Sequence, residues 1–237
     1  MTLVKKRLPG RPRDEALQER RRRAILKVAA SMFARHGFTA TDVQWIADRL
    51  KISKGTVYRY FPSKEKLFLA AVQGGIIRMH EHIESARRGA DDKVEEIRAA
   101  VSAYLQFFKT NPELVELFVQ ERAEFKERRR PIYFQHRDVR RGPWREHFAD
   151  LIAEGRIRPM PVERAMDVLG DVLYGAILTN HFSGRQKAFE VQAQDVLDIF
   201  FNGILTEKGR NGNFGPAKSP GGKSSGTKSQ GKNNENG

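Results

Sequence analysis

The 237-residue chain contains no cysteine. That excludes a disulfide scaffold, a thiolate metal site and a cysteine nucleophile. It also lacks any run of 18 apolar residues, so no membrane-spanning helix is expected. Its basic first residues are not followed by the apolar stretch of a signal peptide, and a cytoplasmic location is the expectation. No phosphate-binding glycine loop and no nucleophile elbow are present. His80 and His82 are two apart on an expected helix, point to different faces and make a poor metal pair. Paired acids such as Glu95–Glu96 fall on solvated helix faces. We therefore expect no enzyme activity, no cofactor and no metal.

What the chain does have is positive charge, a formal +14, and it is unevenly placed. Residues 1–23 carry +6, residues 24–81 carry +5, residues 82–207 carry −2 and residues 208–237 carry +5. A near-neutral body thus bears a basic first third and a basic end. A surplus of this kind implies a polyanionic partner, nucleic acid or an anionic membrane. From Lys208 onward the chain is nearly all Gly, Ser, Lys and Asn, with Phe214 as its only large apolar residue. Such a segment buries too little surface to offset its ordering entropy. We divide the chain into a basic disordered arm (1–18), a first domain (19–80), a larger helical domain (81–207) and a disordered tail (208–237).

Helical spacing dominates and β-alternation is nearly absent, which predicts an all-α protein. Ile25, Val28, Ala29, Met32 and Phe33 form one stripe on a first helix that ends at Gly37. Thr41 is expected to cap the next helix, with Gln44 completing a capping box. Its inner face is Val43, Ile46, Ala47 and Leu50. Lys51 and Ile52 make a very short break, and Ser53 caps a short helix, Lys54 to Phe61. Pro62 stops it and Ser63 caps a fourth helix that begins Leu67, Phe68, Ala71, Val72. Further helices are expected near 93–109, 113–128, 143–154, 161–182 and 189–205, with 129–142 the least readable stretch.

Two short helices joined by a tight break, the second of them basic, make a helix-turn-helix, whose second helix fits the DNA major groove. Lys54, Gly55 and Thr56 fill its leading turn, where side chains reach base edges. Tyr58, Arg59 and Tyr60 suit phosphate oxygens, and Lys64 with the next helix's free N–H groups suits a phosphate. The run from Ile25 to Phe68 resembles the DNA-binding domain of the TetR (tetracycline-repressor) family. The resemblance rests on Ala29, Phe33, His36-Gly37-Phe38, Thr41, Ile46-Ala47, Ser53-Lys54-Gly55-Thr56, Tyr58, Tyr60-Phe61 and Ser63-Lys64-Glu65. Lys51 departs from it, standing where the family often has glycine.

The resemblance implies an N-terminal three-helix DNA-binding domain and a C-terminal helical domain for ligand binding and dimerisation. It implies a homodimer that binds a palindromic operator in double-stranded DNA, most often as a repressor, and releases it when a small-molecule effector binds. Thr41 joins the expected DNA contacts on this basis. A nucleoid association would follow. Two other readings stand beside it: an activator or architectural DNA binder, and a helical adaptor whose basic ends bind membrane.

The arm's Pro9-Gly10-Arg11-Pro12-Arg13 resembles the core of an AT-hook, which would send Arg11 and Arg13 into a narrow minor groove. The other reading is non-specific attraction. The last two helices, about 161–182 and 189–205, present broad apolar surfaces and are the expected dimer interface. One runs through Val162, Ala165, Met166, Leu169, Val172, Leu173, Ala176 and Ile177. The other runs through Val196, Leu197, Ile199, Phe200, Phe201, Ile204 and Leu205. Expected pocket walls are Phe107, Phe118, Phe125, Trp144, Tyr174 and His181, with Phe108, Tyr133, Phe134 and Phe148 as further candidates. Arg122 and Arg137 could hold a carboxylate.

Overall fold

A computed structural model describes residues 15–185 and 188–203. Arg11, Arg13, Ile204, Leu205 and the tail from 208 lie outside them. The described residues form ten helices and no strand, in the order α1 (Glu15–His36), α2 (Val43–Arg49), α3 (Lys54–Tyr60), α4 (Lys64–Arg87), α5 (Lys93–Thr110), α6 (Pro112–Glu124), α7 (Ile132–Val139), α8 (Arg141–Ala153), α9 (Val162–Ser183) and α10 (Phe189–Asn202). Helix α1 starts at Glu15, inside the stretch assigned to the arm. Helix α4 runs straight through residue 80, where a domain boundary was expected, and residues up to Phe201 form one compact unit.

Local chemistry sets these helix ends. Gly37 takes φ +81, and its N–H donates to the Phe33 carbonyl at 2.8 Å, closing α1. Ser53 and Ser63 each accept a backbone N–H three residues on, from Thr56 and Lys66, both at 3.1 Å. Asp92 does the same for α5 through Val94, at 2.7 Å, and Pro112 opens α6, where its missing N–H costs nothing. After α2 the N–H of Lys51 donates to the Asp48 carbonyl and that of Ile52 to the Ala47 carbonyl, both at 3.0 Å. That pair of bonds is a Schellman motif, which needs a left-handed residue after the cap. Lys51 supplies it with φ +54, the conformation a glycine takes at no steric cost.

One expected cap is corrected. The N-cap of α2 is Asp42, whose carboxylate accepts the Gln44 N–H at 2.8 Å. Thr41 is 1% exposed, and its hydroxyl lies 2.6 Å from the Gly37 carbonyl, which accepts its hydrogen. The Gln44 side chain reaches Asp48 and does not return to the cap.

Helices α1 to α4 pack around Ile25, Ala29, Phe33, Val43, Ile46, Ala47, Val57, Phe61, Leu67 and Phe68, all buried. Phe125, at the end of α6, completes an aromatic cluster with this core. Its ring lies 5.0 Å from Phe38 and 5.5 Å from Phe68, and Phe33 meets Phe68 edge-on at 5.2 Å. Gln120 on α6 donates to the Phe33 carbonyl at 2.9 Å. The head formed by α1 to α3 and the start of α4 is thus fastened to the body, the later helices, by packed rings and a buried hydrogen bond. Such contacts specify one relative placement, because rings and a directional bond tolerate little sliding.

Two stability predictions follow from this packing. Phe125→Ala leaves a hole between head and body and should cost about 3–5 kcal/mol in urea unfolding. Lys51→Val forces a β-branched residue into the left-handed region and should cost about 1–2 kcal/mol, whereas Lys51→Gly should not destabilise.

Candidate functional site

Helix α3 is held by its own cap and by α2, and its outer face is left uncovered. Val57 is its buried contact, while Gly55, Tyr58 and Arg59 are exposed and Lys54, Thr56 and Tyr60 are half-buried. The Lys54 ammonium lies 2.8 Å from Asp42, so the carboxylate that caps α2 also orders the first side chain of α3. Asp42 is held below the usual carboxylate range, first by the Gln44 N–H and then by Lys54, and Lys54 is held up by Asp42. The Ser53 and Thr56 hydroxyls are 2.9 Å apart. A Cβ on Gly55 would meet only the Ser53 hydroxyl, at 3.9 Å, so nothing inside the fold requires glycine there. Arg59 lies over the Tyr60 ring at 5.8 Å. Lys64 donates to the Thr39 carbonyl at 2.8 Å and sits 4.9 Å from the Phe38 ring centre. An ammonium has three donors, so this tether leaves others for an anion.

The structure therefore brings Lys54, Gly55, Thr56, Tyr58, Arg59, Tyr60 and Lys64 to one region of the head. Thr41 does not belong with them. It is buried, and its hydroxyl ties the turn after α1 to the start of α2. Two residues that the sequence reading missed are exposed on α2: Gln44 and Trp45. The Trp45 ring is 44% exposed and packs edge-on against His36 at 5.3 Å. The missed signal was a tryptophan at a position that the inner-face pattern assigns to solvent.

A second feature lies in the body. A cavity of about 300 Å³ opens among α4, α5, α7, α8 and α9. Ile83, Ile97, Val101, Phe148, Leu169 and Leu173 give it apolar walls, and His80, Tyr104, Tyr133, Arg137, Arg140 and Arg141 give it polar ones. Of the six expected wall residues only Trp144 lines it, joined by Tyr133 and Phe148 from the further candidates. The other five lie outside this cavity. Phe107 and Phe118 pack on Phe108, and Phe125 belongs to the head–body cluster. Tyr174 stacks on Tyr133 with centroids 4.8 Å apart, outside the cavity wall. His181 pairs with Glu116 at 3.0 Å. Arg122 reaches the Lys126 carbonyl, whereas Arg137 does line the cavity. Burial lowers His80 to about 4, helped by Arg140 and His136, so its imidazole is neutral near pH 7.

The α9 surface divides. Ala165, Leu169 and Ile177 are buried, Met166 and Leu173 face the cavity, and Val168 (50% exposed) and Val172 face outward. Ile199 (55% exposed) and Val191 on α10 and Phe182 (67% exposed) at the end of α9 are also uncovered.

Residues 25–71 match the family described as bacterial regulatory proteins, tetR family. The chain is 35% identical over 98 residues to the HTH-type transcriptional activator FasR of Mycolicibacterium smegmatis, covering 41% of this chain and 42% of FasR. It spans about half the length, or less, of FasR and the next curated relatives it matches. With the HTH-type transcriptional repressor KstR2 of Mycobacterium tuberculosis it shares 25% identity over 189 residues, 79% of this chain and 94% of that one. The fold is similar to that of the regulator FadR from Bacillus subtilis, solved in complex with stearoyl-CoA, with a TM-score of 0.62 and 16% identity, covering 77% of this chain and 99% of that one. The helix-turn-helix from Val43 to Tyr60 lies inside the stretch, residues 25–71, that matches the tetR family of bacterial regulatory proteins, and the all-helical body around it is similar in fold to a solved regulator.

Proposed function

We propose that this chain is a ligand-responsive transcriptional regulator that binds a palindromic operator as a homodimer and leaves it when a small molecule fills the body cavity. The observation that carries the reading is the double duty of α4. Its first turn holds Lys64 beside the recognition helix, and its later turns supply Met79, His80, Ile83 and Glu84 to the cavity wall. A ligand that moves those later turns shifts the head with them. Coupling of this kind is typically worth about 1–3 kcal/mol, enough to change operator affinity roughly 5- to 150-fold.

Lys54, Gly55 and Thr56 read base edges, and Tyr58, Arg59, Tyr60 and Lys64 hold the backbone. Gln44 and Trp45 extend that backbone contact along α2. Val168, Val172, Val191 and Ile199 form the dimer face on α9 and α10. Two heads so joined read half-sites about 34 Å, or a multiple of it, apart. We take the sign to be repression, because the repressor KstR2 is matched along most of its length, whereas the activator FasR is matched over less than half. The work would be done in the cytoplasm, on the nucleoid. No described helix is long and apolar enough to cross a membrane.

Mapping bound DNA across the genome supplies the operator, and fluorescence anisotropy with specific and scrambled duplexes then tests the reading. Sequence preference is expected, with a salt slope that reports the phosphates neutralised. A steep slope without preference would favour an architectural binder, and vesicle binding without DNA affinity would favour the adaptor. Lys54→Ala or Thr56→Ala should relax preference at particular base pairs by about 1–3 kcal/mol. Lys64→Ala should weaken all duplexes alike and flatten the salt slope. A change of base preference in Lys64→Ala would overturn its assignment to phosphate.

A further inference from the structure

The cavity has more hydrogen-bond donors than acceptors. Two of its residues hold buried nitrogens with no partner, His80 Nε2 and Arg137 Nε. The arginine nitrogen can only donate. The Tyr104 and Tyr133 hydroxyls, both in the wall, lie 3.0 Å apart. Two hydroxyls carry two hydrogens, and their mutual bond uses one. Burial raises both phenols, Tyr133 to about 12, so both keep their hydrogens. The residues of the wall thus hold at least two uncommitted donors, the Arg137 Nε and one tyrosine hydroxyl. Among the described residues the wall has one carboxylate, Glu84, and Arg87 engages it at 3.3 Å.

The charge points the same way. Arg141 is answered by Asp167 at 2.6 Å and Arg137 more loosely by Asp171 at 3.4 Å. Arg140 forms no ion pair among the described residues. The rest of the wall is aliphatic or aromatic. At about 30 Å³ for each water-sized group, a cavity of about 300 Å³ seats about ten non-hydrogen atoms.

We propose that the cavity takes a monocarboxylate of about ten carbons in all, its carboxylate seated against Arg137 and His80. This rests on the reading of the protein as ligand-responsive, and it names the chemistry of the effector. A carboxylate would meet the Arg137 side chain, whose Nε has no protein partner. The guanidinium supplies a charge-assisted bond that a neutral head would lack. The same apolar body occurs in a free acid and in its coenzyme A thioester. The cavity's size and single charged cluster favour the free acid.

The test is isothermal titration of the full chain with decanoate, decanol and decanoyl-CoA. Decanoate should bind about tenfold tighter than decanol, a difference of about 1.4 kcal/mol. Arg137→Met should erase that advantage and leave decanol binding unchanged, which also shows that the pocket is intact. Arg137→Lys, which keeps the charge and loses Nε, should fall between. The proposal is overturned if decanol matches decanoate, if decanoyl-CoA binds and decanoate does not, if neither binds, or if Arg137→Met leaves decanoate unaffected. Operator release is measured separately. Decanoate binding without release counts against the ligand-responsive reading alone. Release by another molecule with no decanoate binding counts against this inference alone.

Discussion

A single uninterrupted helix, α4, constrains both ends of this protein. Lys64 in its first turn sits beside the recognition helix, and His80, sixteen residues on and about 24 Å away along the axis, lines the body cavity. Between them Leu67, Phe68, Ala71 and Val72 are buried in the head, and Gly75 lies against α6. A Cβ on Gly75 would come within 2.5 Å of the buried Leu114 side chain. A close approach of α4 to α6 therefore falls between its two ends, at a position with no side chain. A helix cannot bend freely without losing hydrogen bonds, so displacement at one end is carried to the other. Head and body are also joined through Phe125 and Gln120 on α6, which gives the helix a fixed partner to move against.

The head is ordered before any DNA arrives. Asp42 caps α2 and holds Lys54, and Lys64 is tethered to the Thr39 carbonyl. Exposed pairs of this kind add little to stability. Their value lies in reducing the side-chain entropy lost on binding. In the proposed DNA-binding role, a Lys54 that reached a base would have to leave Asp42. The positive surplus of the first 81 residues would supply attraction and salt dependence, and discrimination would fall to the few donors on α3, whose placement the Asp42 and Ser53 caps fix.

The helix-turn-helix was legible because local rules and tertiary packing agree there. Ser53 and Ser63 cap as their types predict, and Val43, Ile46 and Ala47 point inward as their spacing predicts. Thr41 and Asp42 are adjacent residues that can both cap, and the choice depends on a carbonyl, that of Gly37, which only the folded turn brings near. Helix α7 was unreadable because it is short and the polar run Gln135 to Asp138 obscures its apolar pattern. Only Ile132 and Tyr133 are buried, and the buried Glu121 carboxylate accepts the Ile132 N–H at 3.0 Å from another helix. The cavity's wall was partly legible. Trp144, Tyr133, Phe148 and Arg137 were named and line it, but an aromatic residue signals burial and not which gap it borders, so Phe107, Phe118 and Phe125 packed on other rings. His80 carries no local motif that points to a cavity.

The division of α9 carries the argument one step further. Leu169 and Leu173 face the cavity while Val168 and Val172, one residue before each, face outward. A ligand that presses on the inner pair acts on the helix that presents the outer pair. In the proposed homodimer, the spacing of two heads on DNA would depend on both the angle of α4 within a protomer and the seating of α9 and α10 between protomers. A cavity bordered by α4 on one side and α9 on another can bias both with the same few contacts. That position explains how a small, neutral-bodied ligand could govern a charged reading head that it never touches.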